Sequence, residues 1–121
     1  MKAETTTYSD AQTTIAVVRE RLARFNAERD WEQFHGAKDL AMCLAAEAGE
    51  LLEPFLWNRD EDALDRAAIS QELADVLICA VNLAAKLDID LMQAVDAKID
   101  MNAQRYPVSK ARGRATKHDA L

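Results

Sequence analysis

The sequence predicts an all-α protein, a four-helix bundle with short connections, and three observations point to it. Half of its 121 residues are apolar, with only three Gly and two Pro, a balance that favours helix. Apolar side chains recur at helical spacing along four stretches, as expected for helices with one buried face. The alternating Val, Ile and Thr that strands require is missing. By length the chain is one domain, residues 1–121, long enough for a core but modest in the surface it can bury alone, so that oligomerisation would help it.

Residues 1 to about 8 read as a flexible polar lead. Ser9 and Asp10 have side-chain oxygens suited to capping a first helix, whose stripe Ile15, Val18, Leu22 and Phe25 runs to about Asp30. The segment Trp31-Glu32-Gln33-Phe34-His35-Gly36 breaks it. A second helix is expected from about Lys38 to Glu53, ended or kinked by Pro54, which lacks an amide donor and clashes with the preceding turn. Asn58 to Asp65, with Arg59-Asp60-Glu61-Asp62, reads as a solvated connection. The longest sustained periodicity predicts a third helix over about Ala67 to Leu87. Asp88-Ile89-Asp90 is a turn whose Asp90 caps a fourth helix from Leu91 to about Arg105, ended by Tyr106-Pro107. Residues 108–121 carry Lys110, Arg112, Arg114 and Lys117 against a single Asp119, a basic tail on a chain of net charge −6.

The second and third helices each carry a pair of carboxylates at i, i+3: Glu47 with Glu50, then Glu72 with Asp75. Members of such a pair share a face. Glu47 falls inside the apolar stripe of Leu40, Leu44 and Leu51, and Glu72 at the edge of the stripe of Ile69, Leu73, Val76, Ala80 and Leu83. A carboxylate aimed at a core is costly unless paired or bound to a cation. Four converging between antiparallel helices ask for a divalent metal, and oxygen ligands alone select a hard ion: Mg²⁺, one or two per site, or Mn²⁺. The rival di-iron design uses Glu-x-x-His, which neither pair supplies.

Lys98, Asn102 and Arg105 at i, i+4, i+7 put two cations and an amide on one face of the fourth helix. They suit either surface ion pairs with Asp96 or Asp100 or a grip on phosphate. Trp31, Phe34 and His35 at the first break, and Trp57 after Pro54, are lids on a core or, for Trp57, a flat partner for a nucleobase. Cys43 and Cys79 lie in apolar segments and read as small hydrophobes rather than a disulfide framework. The acidic balance argues against polymeric nucleic acid as partner. No stretch approaches the roughly 18 apolar residues of a membrane span, nor is there a leader's apolar run, so the expected setting is cytoplasmic, without a membrane partner.

At these residues the chain resembles the MazG-like, all-α nucleoside triphosphate pyrophosphohydrolases, whose signature is E-x-x-E, a spacer, then E-x-x-D. Within that superfamily it is similar to the dCTP pyrophosphatase group in Glu28-Arg29-Asp30-Trp31-Glu32-Gln33-Phe34-His35, Glu47-Ala48-Gly49-Glu50-Leu51, Phe55-Leu56-Trp57, Gln71-Glu72-Leu73-Ala74-Asp75-Val76-Leu77-Ile78 and Arg105-Tyr106-Pro107-Val108, in that order. The resemblance implies a homo-oligomer of four-helix bundles, tetramer or dimer. It implies hydrolysis of a (deoxy)nucleoside triphosphate, dCTP or modified dCTP above others, to monophosphate and pyrophosphate. Glu47, Glu50, Glu72 and Asp75 would then be the catalytic metal ligands, with one of them, Glu50 above all, able to act instead as base. Lys98, Asn102 and Arg105 would contact phosphates; Trp31 and Trp57 would hold the base, with His35 and Tyr106 also among the substrate-binding residues. A non-catalytic or di-metal bundle serving as an oligomerisation or metal-binding module is the alternative.

Overall fold

Thr14 begins the first helix, little more than one turn of chain later than Ser9 and Asp10 suggested. The Thr14 side chain accepts the Val17 amide at 3.3 Å, and helix α1 runs over Ile15–Glu28. Ser9 is spent on a turn of its own: its amide donates to Thr13 Oγ1 at 3.0 Å and its carbonyl accepts from the Thr13 amide at 2.8 Å. In this computed structural model the described residues are 7–58 and 60–121, so the expected lead over 1–6 and Arg59 of the connection lie outside them.

Helix α2 covers Ala37–Leu52 and passes into a 3-10 turn at Glu53–Phe55 with Pro54 inside it, the tightening that a residue without an amide proton imposes. After a second short turn at Glu61–Ala63, Asp65 accepts the Ala68 amide at 3.1 Å and starts α3, Arg66–Lys86. Asp30 after α1 and Asp88 after α3 take φ of 52° and 55°, the left-handed position that stops a helix and that Asp tolerates better than most side chains.

Two compact units divide the chain, Met1–Ile89 and Asp90–Leu121. In the first, α2 packs most extensively on α3, and α1 also packs on α3. The α2/α3 pair is antiparallel: Glu50 and Glu53 act on Glu72, whereas Cys43 and Glu47, earlier on α2, act on Cys79, later on α3. Leu40, Val81 and Ala84 form the buried apolar centre. Beside them Asn26 is buried, at 8% exposure, with its Nδ2 donating to Asn82 Oδ1 at 3.1 Å.

The second unit holds α4, Leu91–Arg105, with Asp90 accepting the Gln93 amide at 3.0 Å, as the sequence predicts. The expected tail contains a further four-residue helix, α5, at Val108–Ala111, and a 3-10 turn at His118–Ala120. Five α-helices are therefore seen among the described residues where four were expected.

Several apolar side chains do not meet a partner in their own chain. Leu73, expected in the stripe of the third helix, is 55% exposed, and Phe34, expected as a lid, is 64% exposed. Cys43 is exposed and Cys79 half-buried, both as free thiols. Helix α3, at 21 residues, is also long and apolar enough by length and composition to cross a membrane, which the sequence reading did not anticipate. Its packing on α2 and its midway Glu72 and Asp75 mark it instead as the central helix of its unit.

Candidate active site

The i, i+3 pairs meet where α2 faces α3. One carboxylate oxygen from each of Glu47, Glu50 and Glu72 lies within 4.8 Å of the others. Asp75, the fourth member of the expected set, is outside that trio, although its charge acts on both Glu47 and Glu72. Glu47 and Glu72 are half-buried, while Glu50 and Asp75 are exposed.

Crowding of like charge is visible in the acid strengths. The Glu50 carboxyl, placed to share a proton with Glu47, raises Glu47 above the usual carboxylate range; burial and the charges of Glu50, Asp75 and Glu72 add to it. Glu72 is raised first by burial, then by the charges of Glu50 and Asp75, with a shared proton from Glu50 and the charge of Glu53 contributing. With all groups ionised there is no proton to share, and Oε2 of Glu47 and Oε2 of Glu72 are both sealed from solvent without a hydrogen-bond partner. Unpartnered buried carboxylate oxygens are among the costliest groups a fold can carry. A hard divalent cation, which takes oxygen ligands and favours their charged form, fits this donor set.

Glu53 was missed in the sequence. It continues the spacing as Glu47, Glu50, Glu53, and that third step was the available signal.

Trp31 and His35 are brought together with Asp75 in the lining of a cavity of about 550 Å³. The Trp31 ring meets Phe25 edge to face, centroids 5.6 Å apart at 74°. The Trp31 amide donates to the Asn26 carbonyl at 3.0 Å, which ties the ring's backbone to the end of α1. Trp57 is apart from this wall. It follows the Glu53–Phe55 turn and is 97% exposed.

Lys98, Asn102 and Arg105 lie on α4, and Tyr106 at its C-cap, all in the second unit and all exposed. Lys98 Nζ reaches Met101 Sδ at 3.7 Å. Neither Lys98 nor Arg105 is in an ion pair among the described residues, so the salt bridges considered with Asp96 and Asp100 do not form there. Tyr106 packs edge to face on His118, centroids 5.8 Å apart.

A profile of the MazG-like family matches residues 43–121, a span that takes in all four carboxylates. The chain belongs to the MazG-like family. Its relatives include dCTP pyrophosphatase 1 of Mus musculus, 47% identical over 115 residues that cover 89% of this chain and 68% of the mouse protein. The Bos taurus protein of the same name is 45% identical, covering 92% of this chain and 70% of its own length, and the Homo sapiens one is 44% identical, covering 89% and 68%. Among solved structures, a pyrophosphatase from Archaeoglobus fulgidus superposes with a TM-score of 0.73 at 29% identity, covering 84% of this chain and 99% of that one. The MazG-like signature and the crowded carboxylates thus fall on the same two helices.

Proposed function

We propose that this MazG-like chain hydrolyses a (deoxy)nucleoside triphosphate, dCTP or a modified dCTP above others, to the monophosphate and pyrophosphate, clearing the cytoplasmic nucleotide pool. The observation that carries this reading is the convergence of Glu47, Glu50 and Glu72 with two sealed, unpartnered oxygens. Bare, that cluster would repel a triphosphate; with a cation it becomes a site for one. The relatives' activity as dCTP pyrophosphatases supports both reaction and base.

In this reading Glu47, Glu50, Glu72 and Asp75 hold one or two Mg²⁺, with Mn²⁺ able to replace it. When bound, the cation neutralises phosphate charge and lowers the pKa of water near the α-phosphorus. Glu47 and Glu72 are the better anchors, since their sealed oxygens lack any other partner. Glu50, exposed at the edge of the cluster, is the carboxylate suited to accept the attacking water's proton. Lys98 and Arg105 neutralise phosphate oxygens, with Asn102 and Tyr106 beside them in sequence, while Trp31, His35 and Trp57 receive the base. The working form is a single domain over 1–121, a four-helix bundle in a homotetramer or dimer. The exposed Leu73 and Leu77 on α3 and Met42 on α2 support such an assembly.

The test is product analysis with each common nucleotide and Mg²⁺. Pyrophosphate with the monophosphate, fastest from dCTP and lost on chelation, is expected. Orthophosphate as the first product, or no turnover of any nucleotide, would overturn the reading.

A further inference from the structure

Asn26 and Asn82 place two amides where helix faces are otherwise apolar. Asn26 lies four residues after Leu22 on the stripe of α1, and Asn82 follows the fully buried Val81 on α3. Burying an amide is unfavourable unless its hydrogen bonds are made. The pair makes one of them, from Asn26 Nδ2 to Asn82 Oδ1 at 3.1 Å. An Asn side chain offers both a carbonyl acceptor and amide donors, and two groups remain. Asn26 Oδ1, an acceptor, and Asn82 Nδ2, a donor, take no part in that bond, and neither is among the unpartnered atoms sealed from solvent, so both remain open to a ligand.

Both residues line the cavity of about 550 Å³ that also takes in Phe25, Trp31, His35 and Asp75. A volume of that size is ordinary for a small-molecule site, roughly 300–1,000 Å³. Asp75 lines the cavity and its charge is felt by Glu47 and Glu72 of the carboxylate cluster, and the Asn26 carbonyl fixes the Trp31 backbone. A flat aromatic wall, a donor and an acceptor, and a carboxylate of the proposed metal set share one lining, as the parts of a nucleotide require. Stacking alone tolerates any base. Strong discrimination needs buried polar groups that a wrong base leaves unpaired.

We propose that the Asn26–Asn82 pair sets base specificity by reading the Watson–Crick edge, with Asn82 Nδ2 donating to N3 of cytosine and Asn26 Oδ1 accepting from the exocyclic amine. Uracil reverses that order, setting its N3–H against the Asn82 donor and its O4 against the Asn26 acceptor. The inference rests on the pyrophosphohydrolase reading above.

The experiment compares kcat/KM for dCTP, dUTP and 3-deaza-dCTP, which lacks the N3 acceptor, in the wild type and in Asn82→Asp. The Asp keeps the acceptor for Asn26 Nδ2 and turns the remaining donor into an acceptor. Wild-type protein should use 3-deaza-dCTP at least about tenfold less well than dCTP, and Asn82→Asp should lower the dCTP/dUTP ratio by about tenfold or more. Equal use of dCTP and 3-deaza-dCTP by the wild type, or an unchanged ratio in a folded variant, overturns the inference and leaves the hydrolysis standing. No turnover of any nucleotide by the wild type overturns the hydrolysis and the inference together.

Discussion

Glu47 and Glu72, on different helices, each keep one carboxylate oxygen sealed and unpartnered at the same point between α2 and α3. Removing either charge should relieve the metal-free fold while destroying the site. Glu47→Gln and Glu72→Gln are expected to stay helical, to unfold at a higher temperature than wild type without Mg²⁺, and to lose about 100-fold or more in turnover. Circular dichroism melts and steady-state rates check both halves. Undiminished turnover in either variant would remove these carboxylates from the mechanism.

The weakened acidities of Glu47 and Glu72 give a pH dependence of definite sign. Their folded pKa values lie above the reference of 4.5, so between the two values the native state binds more protons than the unfolded one, and stability falls as pH rises. Without metal, the stability these groups confer when protonated is complete below that reference and lost as pH climbs through the folded values. The melting advantage of Glu72→Gln over wild type in chelator should therefore widen with pH, and saturating Mg²⁺ should reverse it. An advantage that narrows as pH rises would contradict the clustering.

Lys98 and Arg105 are exposed and outside any ion pair of the described residues, which makes their removal harmless to the fold. Their Ala variants should melt as wild type does but lose triphosphate affinity by about 10- to 100-fold each, the scale of a charge-assisted hydrogen bond. Titration with a non-hydrolysable triphosphate reads the affinity. Lower melting temperature with unchanged affinity would return the two side chains to a structural role.

Trp57, at 97% exposure, covers nothing in its own chain. If a base stacks on it, Trp57→Ala should raise KM by about 5- to 150-fold for every nucleotide, the range of about 1–3 kcal/mol per stacked base. Trp57→Phe should keep most of the affinity. Sedimentation of the same variants separates stacking from assembly: a changed oligomer with unaltered KM would place Trp57 in a subunit contact.

The helices that the sequence placed best are those whose ends are chemically marked. Asp90 caps α4 as its position implies, and the period of α3 is interrupted by neither Gly nor Pro. Ser9 and Asp10 misled because any short polar side chain can cap, and the choice of Thr14 depends on a turn that only the folded chain reveals. The meeting of Glu47, Glu50 and Glu72 was foreshadowed because helical spacing alone sets the face that each i, i+3 pair shares. The Asn26–Asn82 contact was not, because a pair 56 residues apart leaves no local trace. Apolar periodicity likewise marked Leu73 and the aromatic Phe34 as faces to be covered but could not say that their own chain leaves them bare.

Leu40, Val81 and Ala84 are the buried apolar residues among those described, a small nucleus for a chain of 121 residues. If copies of the chain cover its apolar faces, as proposed above, mass action enters its folding. A protomer whose apolar faces are completed by copies of itself has no stability separable from how much of it is in solution. On dilution its melting temperature should slide downward, and a destabilising substitution in one helix should be felt first as a raised dissociation constant, before any loss of helicity is seen.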